Sequence, residues 1–340
     1  MDNKTTKVVK ELLSTKKNIV VIGHKNPDGD AIGSCVALSM FLTKKGHSSQ
    51  VVMPNNFPDF LQWMPGSDAI IIHETQKEES SKAIAAADLI FTLDFNALDR
   101  TGDVQQPLEA SNAKFIMIDH HQQPDDYTVA TYSDVTMSST CEMVYHFMDA
   151  MVGLDTLTPD ICTLLYTGIM TDTGSFRFSS TSATTHRVIA HLIEQGADNS
   201  VIHESIYDTN TPDRLRLLGV ALKNLEILPE YNTAYISLSQ KDLDKNNFKK
   251  GDTEGFVNYA LSVQGIIFAV IFIESKQDNI IKMSLRSKGD FSVNEVARKH
   301  YHGGGHTNAA GGKSDKSLTK TITEFISILP QYKEALTHVS

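Results

Sequence analysis

Four short stretches carry acid and imidazole side chains in patterns that could do chemistry. "GHKNPDGDAIGS" holds His24, Asp28 and Asp30, "TLDFN" holds Asp94, "IMIDHHQQP" holds Asp119, His120 and His121, and "IMTDTGSFRF" holds Asp172. The first three follow apolar β-type runs, "NIVVIG", "LIFTL" and "KFIMI"; the fourth is a turn after an apolar helical stretch. Each alone has an ordinary explanation. Asn-Pro and Asp-Gly punctuate turns, Asp94 could cap a helix, and a single histidine on an apolar strand is usually a satisfied core residue. Gathered on one rim, the same groups would repel one another and raise each other's pKa values unless cations neutralised them. The donors are nitrogen and oxygen with no thiolate, which suits manganese, iron, magnesium or cobalt better than structural zinc. Two divalent ions about 3.5–4 Å apart clamp a phosphoryl group and supply hydroxide at neutral pH, so phosphoryl chemistry is expected.

The elements that must position these groups alternate. Strands are expected at 18–24, 49–54, 88–95 and 113–120, and helices at 31–46, 80–87, 139–152, 159–171 and 183–195. Apolar β runs alternating with helices imply an α/β fold with a doubly wound, mostly parallel sheet. Ligands in such sheets sit outside the carboxyl ends of the strands. A polar, helix-forming segment over 197–230 reads as a helical connector. A second pattern follows, with strands at 233–239, 265–275 and 279–290, a helix at 292–300, the glycine-rich "HGGGHTNAAGG", and a helix near 317–329 that ends before Pro330. The reading is a catalytic domain over 1–196, the connector over 197–230 and a smaller α+β domain over 231–340.

The second domain has its own phosphate chemistry. Glycines let backbone N–H groups approach a phosphate closely. Arg286, on the alternating strand "IIKMSLRS", offers a bidentate fork, and His306 closes the glycine run.

With 340 residues, 41% of them hydrophobic, the chain can build two cores. A net charge of -10 argues against a protein that coats duplex DNA. Cys35, Cys141 and Cys162 form no C-x-x-C pair; reduced, buried thiols and a cytoplasmic protein are expected. The first residues lack the apolar core of a signal peptide, and "GIIFAVIFI" is too short to span a bilayer.

Taken together in order and spacing, "GHKNPDGDAIGS", "LDFNALDR", "MIDHHQQP", "TDTGSFRFSST", "SLRSKGDFSVNEVA" and "GGGHTNAAG" resemble the DHH phosphoesterase family and its DHH-associated C-terminal domain over nearly the whole chain. The resemblance is strongest to short two-domain members that act as oligoribonucleases (nanoRNases) and as phosphatases of 3′-phosphoadenosine 5′-phosphate. It implies two divalent metal ions, manganese foremost. One would be held by His24, Asp28 and Asp94 and the other by Asp30, Asp94, His120 and Asp172, with Asp94 bridging. Asp119 would orient a neighbouring ligand or water, and His121 would contact the scissile phosphate or assist proton transfer. A bridging hydroxide would attack phosphorus in line. Arg286, Ser287, Gly303, Gly304, Gly305 and His306 would grip the nucleotide end, and Arg100 matches a recurring family arginine and is a further substrate contact. The family often runs four glycines before the final histidine; here His302 takes the place of the first.

The expected substrates are very short RNA oligonucleotides and 3′-phosphoadenosine 5′-phosphate, with no duplex DNA, no membrane and scope for a homodimer. Alternatives are a linear or cyclic dinucleotide phosphodiesterase, a manganese inorganic pyrophosphatase, which carries a different second domain, and a non-catalytic nucleotide-binding regulator, which should have lost a ligand.

Overall fold

The structure is a computed structural model that describes residues 1–154 and 157–337. The chain divides into two compact units, Met1–Thr209 and Asn210–Ser340. The segment expected as a connector is shared between them.

The first unit runs α1 (Asn3–Leu12), β1 (Asn18–Ile22), α2 (Gly29–Lys44), β2 (Ser48–Met53), β3 (Ile71–Ile72), α3 (Lys77–Ala85), β4 (Leu89–Leu93), α4 (Gln105–Glu109), β5 (Lys114–Asp119), β6 (Ala130–Ser133), α5 (Thr140–Val152), α6 (Pro159–Asp172), α7 (Ala183–Glu194) and α8 (Asn199–Tyr207). Its six strands lie in the order β3-β2-β1-β4-β5-β6, all parallel. Successive residues of a strand point to opposite faces, and both faces here are apolar. Ile19, Val21, Leu89, Phe91 and Leu93 join α2, α5 and α6 in one core. Val20, Ile22 and Ile90 join Ile84 of α3 and Leu108 of α4 in another. Helices cover the sheet on both sides, which is the doubly wound arrangement, and the chain reverses direction across the sheet between β1 and β4. Each fully buried Phe, Leu or Ile contributes about 1.5–3 kcal/mol, so the strand ends stand on a rigid base.

The second unit runs α9 (Pro212–Lys223), β7 (Leu225–Leu228), β8 (Thr233–Leu238), α10 (Gln240–Lys245), α11 (Phe256–Leu261), β9 (Phe268–Ser275), β10 (Ile280–Ser287), α12 (Val293–His300), β11 (Gly304–Gly305), β12 (Ala309–Ser314), α13 (Leu318–Ile328) and α14 (Lys333–Thr337). Its sheet is mixed, in the order β11-β12-β10-β9-β8-β7, with β8 and β9 parallel. Phe268, Phe272 and Leu285 pack on Val296 and Phe325 on one side, and Ile236, Ala269 and Ile271 pack on Leu217 and Phe256 on the other.

Two stretches differ from the sequence expectation. Residues 225–228 read as helix but form β7, an edge strand paired antiparallel with β8. The glycine-rich stretch, given no strand from the sequence, pairs as β11 with β12. Among the described residues no helix is long and apolar enough to cross a membrane, and all three cysteines are buried and free.

Candidate metal centre

The carboxyl ends of β1, β4 and β5 and the termini of α2 and α6 deliver the acid and imidazole groups to one place. Beyond β1, His24 donates from Nδ1 to the Lys25 carbonyl at 2.9 Å. Its Nε2 then faces Asp94 Oδ2 at 3.3 Å and Asp28 Oδ2 at 3.9 Å. His120, beyond β5, repeats the device. Its Nδ1 meets the Met137 carbonyl at 3.3 Å, and its Nε2 lies 3.5 Å from Asp94 Oδ1, 3.5 Å from Asp172 Oδ2 and 3.9 Å from Asp30 Oδ2. A backbone carbonyl on Nδ1 fixes the tautomer that leaves the Nε2 lone pair available, as in histidines that ligate metals.

The carboxylates are held as firmly. Asp28 caps α2, where its Oδ1 accepts from the N–H groups of Asp30 and Ala31, both at 3.0 Å. Asp30, in the first turn of α2, is buried. Its Oδ2 accepts from Thr140 N at 2.7 Å and its Oδ1 from Cys141 N at 2.8 Å, so it sits on the amino end of α5. Asp94 follows β4 with φ +64°, a left-handed conformation that Asp tolerates better than most residues, and Thr140 Oγ1 donates to its Oδ1 at 3.0 Å. Asp172, expected in a turn after the helix, is instead the last residue of α6, and the turn begins after it. It is succeeded by Gly174, Ser175 and Phe176, all at positive φ, a strained turn of the kind that collects at functional sites. Asp119 Oδ1 lies 2.7 Å from His121 Nδ1, while its Oδ2 is buried with no hydrogen-bond partner.

With only the protein's own charges present, these groups perturb one another strongly. Burial works against a charged His24, but the Asp94 hydrogen bond and the Asp28 and Asp94 charges outweigh it and push its pKa up to about 9. Burial likewise opposes a charged His120, and Asp94, Asp172 and Asp30 hold its pKa well above the usual value. Burial would raise Asp94, but hydrogen bonds from His120 and His24 bring it well below the carboxylate range. Asp30, buried beside Asp94 and Asp172, is driven well above it. The cluster needs positive charge and takes it from its own imidazoles. Within the first unit three groups have donor atoms that all lie within 4.8 Å of one another: His24, Asp28 and Asp94; Asp30, His120 and Asp172; and Asp94, Asp119 and His121. A hard oxygen set with two tautomer-fixed imidazoles fits divalent cations such as manganese or magnesium.

Arg100 lies in the 3-10 segment Leu98–Val104. Its carbonyl accepts from Lys25 N at 2.8 Å, and its charge opposes protonation of His24. In the second unit, Arg286 of β10 pairs with Ala309 of β12 and donates from Nη1 to the Leu285 carbonyl at 3.0 Å. The Ser287 hydroxyl is engaged internally. It donates to the Phe291 carbonyl at 2.6 Å and accepts from Asn308 Nδ2 at 2.9 Å. Gly303 is a close approach, because a Cβ there would stand 1.9 Å from the Gly311 carbonyl oxygen. Gly305 N donates to Asn294 Oδ1 at 3.0 Å, and His306 closes a tight turn with Ala309 at 2.7 Å. His302 adopts φ +46°, so a conformation that favours glycine is occupied here by a bulky residue. Sequence reasoning missed Thr140 and the main chain around it; the only signal was the Ser139-x-x-Glu142 spacing, which reads as a helix cap.

Residues 18–169 match the DHH family, N-terminal domain, and residues 231–334 match the DHHA1 domain. The chain is 30% identical over 297 residues to the probable bifunctional oligoribonuclease and PAP phosphatase NrnA of Streptococcus mutans, covering 87% of this chain and 89% of that one. The chain belongs to the DHH family. A second member, the bifunctional oligoribonuclease and PAP phosphatase NrnA of Bacillus subtilis, is 28% identical, with 88% of this chain and 90% of that one covered. Among solved structures, an exopolyphosphatase-related protein from Bacteroides fragilis is 37% identical and superposes with a TM-score of 0.94 over 99% of this chain and 98% of that one.

Proposed function

We propose that this DHH-family chain is a metal-dependent phosphoesterase that trims very short oligoribonucleotides to 5′-mononucleotides and dephosphorylates 3′-phosphoadenosine 5′-phosphate. The observation that carries the reading is the pair of carbonyl-anchored imidazoles, His24 and His120, whose Nε2 atoms converge on Asp28, Asp94, Asp30 and Asp172. The two NrnA relatives, named as oligoribonucleases and PAP phosphatases, suggest the substrate class. His24, Asp28 and Asp94 would hold one divalent cation and Asp30, Asp94, His120 and Asp172 a second, with manganese the metal we favour. Such cations polarise phosphoryl oxygens and lower the pKa of water.

The chain's own groups do the rest. Asp94 balances both imidazoles, and the amino end of α5 keeps Asp30 aimed. Asp119 accepts the Nδ1 proton of His121, so His121 would present Nε2 to the scissile phosphate and, carrying a proton there as well, would give it to the leaving oxygen as the bond from phosphorus to that oxygen breaks and a hydroxide oxygen bonds to phosphorus. Arg100 would contact substrate beside His24. In the second unit, Arg286 and the Gly303–His306 turn would bind a phosphate group. Ser287 would brace that turn, since its hydroxyl already holds Asn308. Buried, free cysteines accord with a cytoplasmic protein.

The test is product analysis of a dimer-to-pentamer RNA series and 3′-phosphoadenosine 5′-phosphate, with manganese, with magnesium and after chelation. Metal-dependent release of 5′-mononucleotides, fastest for the shortest RNAs, is expected. No turnover of either substrate by metal-loaded, folded protein would overturn the assignment and direct attention to cyclic dinucleotides and pyrophosphate.

A further inference from the structure

Glu142 lies in the first turn of α5 and is 1% exposed, yet it belongs to none of the ligand groups. Its position three residues after Ser139 predicts a capping box. The side chain turns elsewhere. The Ser138 hydroxyl donates to its Oε2, and Thr185 Oγ1 donates to the same oxygen at 3.0 Å. His146 Nε2 stands 3.8 Å from Oε1. Burial opposes its ionisation, but His146, Ser138 and Thr185 outweigh burial and keep its pKa below the usual value. A carboxylate buried away from water is costly unless its partners hold it, and breaking such a group from one side leaves the others unpaired.

What Glu142 grips explains its place. Ser138 is itself buried and lies inside a five-residue strap, Met137–Cys141. The Met137 carbonyl orients His120. The N–H groups of Thr140 and Cys141 hold both oxygens of Asp30. The Thr140 hydroxyl holds Asp94. Ser139 caps the helix, accepting from Glu142 N at 3.1 Å. One strap therefore touches three of the groups assigned above to metal binding. On its far side Glu142 ties the strap to Thr185, which also closes the capping box of α7 with Ser182.

We propose that Glu142 is a positioning residue for the metal centre, pinning the Met137–Cys141 strap against α7 so that His120, Asp30 and Asp94 keep their aim. The proposal rests on the metal reading above. It requires an acceptor at Oε2 that can take two hydroxyl protons, which a glutamine carbonyl also supplies and an alanine does not.

The experiment is a calorimetric titration of metal-free protein with manganese, well below its melting temperature, for the unaltered chain, Asp94→Ala, Glu142→Ala, Glu142→Gln and Ser138→Ala, with circular dichroism to establish folding. Changes in groups that orient metal ligands weaken affinity about 10- to 100-fold. Glu142→Ala is expected in that range, Ser138→Ala at about tenfold, and Glu142→Gln within about threefold of the unaltered chain. If Glu142→Ala does not fold, the Ser138→Ala and Glu142→Gln pair decides. A purely structural role would lower the melting temperature and leave the dissociation constant unchanged, and an unchanged constant in folded Ser138→Ala, and in Glu142→Ala where that folds, overturns the proposal alone. No manganese binding by the unaltered chain overturns the metal reading and this proposal with it.

Discussion

In the first unit the candidate ligands leave parallel strand ends or helix termini, and four of the six, His24, Asp30, Asp94 and His120, are buried with fixed partners. In the second, the candidate phosphate-binding groups ride on a two-residue strand, a tight turn and the end of β10, and most are half-exposed. The difference follows from what each must hold. Concentrated carboxylate charge has to be desolvated and aimed to bind cations tightly. A substrate phosphate needs only N–H groups and an arginine fork that can be approached. Charge is the material of one unit and the absence of side chains is the material of the other.

The contrast is sharpest in kinetics. Asp94→Ala removes the carboxylate shared by His24 and His120 and is expected to cut kcat about 10³-fold, the scale at which a transition-state interaction is lost. Arg286→Ala is expected to act on the other parameter. Losing a charge-assisted hydrogen bond costs about 1.5–3 kcal/mol, so KM should rise about 10- to 100-fold with kcat nearly kept, and lysine should restore only part of it. Steady-state kinetics on a dinucleotide decides both. If Arg286→Ala lowers kcat as much as Asp94→Ala does, the division of labour fails.

Two glycines carry the same contrast into packing. A Cβ at Gly168 would stand 2.2 Å from Cys141 Sγ and 2.9 Å from Asp30 Oδ1. Gly168→Ala should therefore disturb metal affinity as well as cost about 1–3 kcal/mol of stability. Gly303→Ala meets the Gly311 backbone instead and should cost a similar amount while leaving manganese affinity unchanged. Chemical denaturation and metal titration on both variants separate the two. The smallest effect belongs to His302→Gly. A left-handed residue with a Cβ costs roughly 1–2 kcal/mol, partly offset by the freedom glycine gains in the unfolded chain. A rise in melting temperature of a few degrees is expected; a fall would mean the imidazole makes contacts worth more than the strain.

The sequence made the doubly wound sheet and the acid-imidazole cluster legible because both rest on side-chain type. Apolar runs such as "NIVVI" and "LIFTL" are unambiguous when both faces are buried, and Asp or His immediately beyond such a run is unusual enough to be noticed. The parts that escaped have physical reasons. β3 and β11 are two residues long, too short for any periodicity. β7 continues an amphipathic stretch whose composition suits a helix, and only pairing with β8 makes it a strand. The hold on Asp30 and His120 was invisible because the groups involved are N–H and C=O, which nearly every residue possesses.

That last feature bears on how the family can drift. The Met137 carbonyl and the Cys141 N–H that steady His120 and Asp30 belong to the main chain, and no point substitution short of proline at 141 deletes them. Descendants of this chain can therefore exchange the side chain at 137 within its packing on the core, and at 141 within the space beside Gly168, without loosening the centre. Selection would act on the side chains that anchor the strap or reach the centre, Ser138, Ser139, Thr140 and Glu142, rather than on the residue at 137. An alignment of close relatives should then show invariant acids and imidazoles beside a strap that varies at 137 while its hydroxyl residues and its path stay constant.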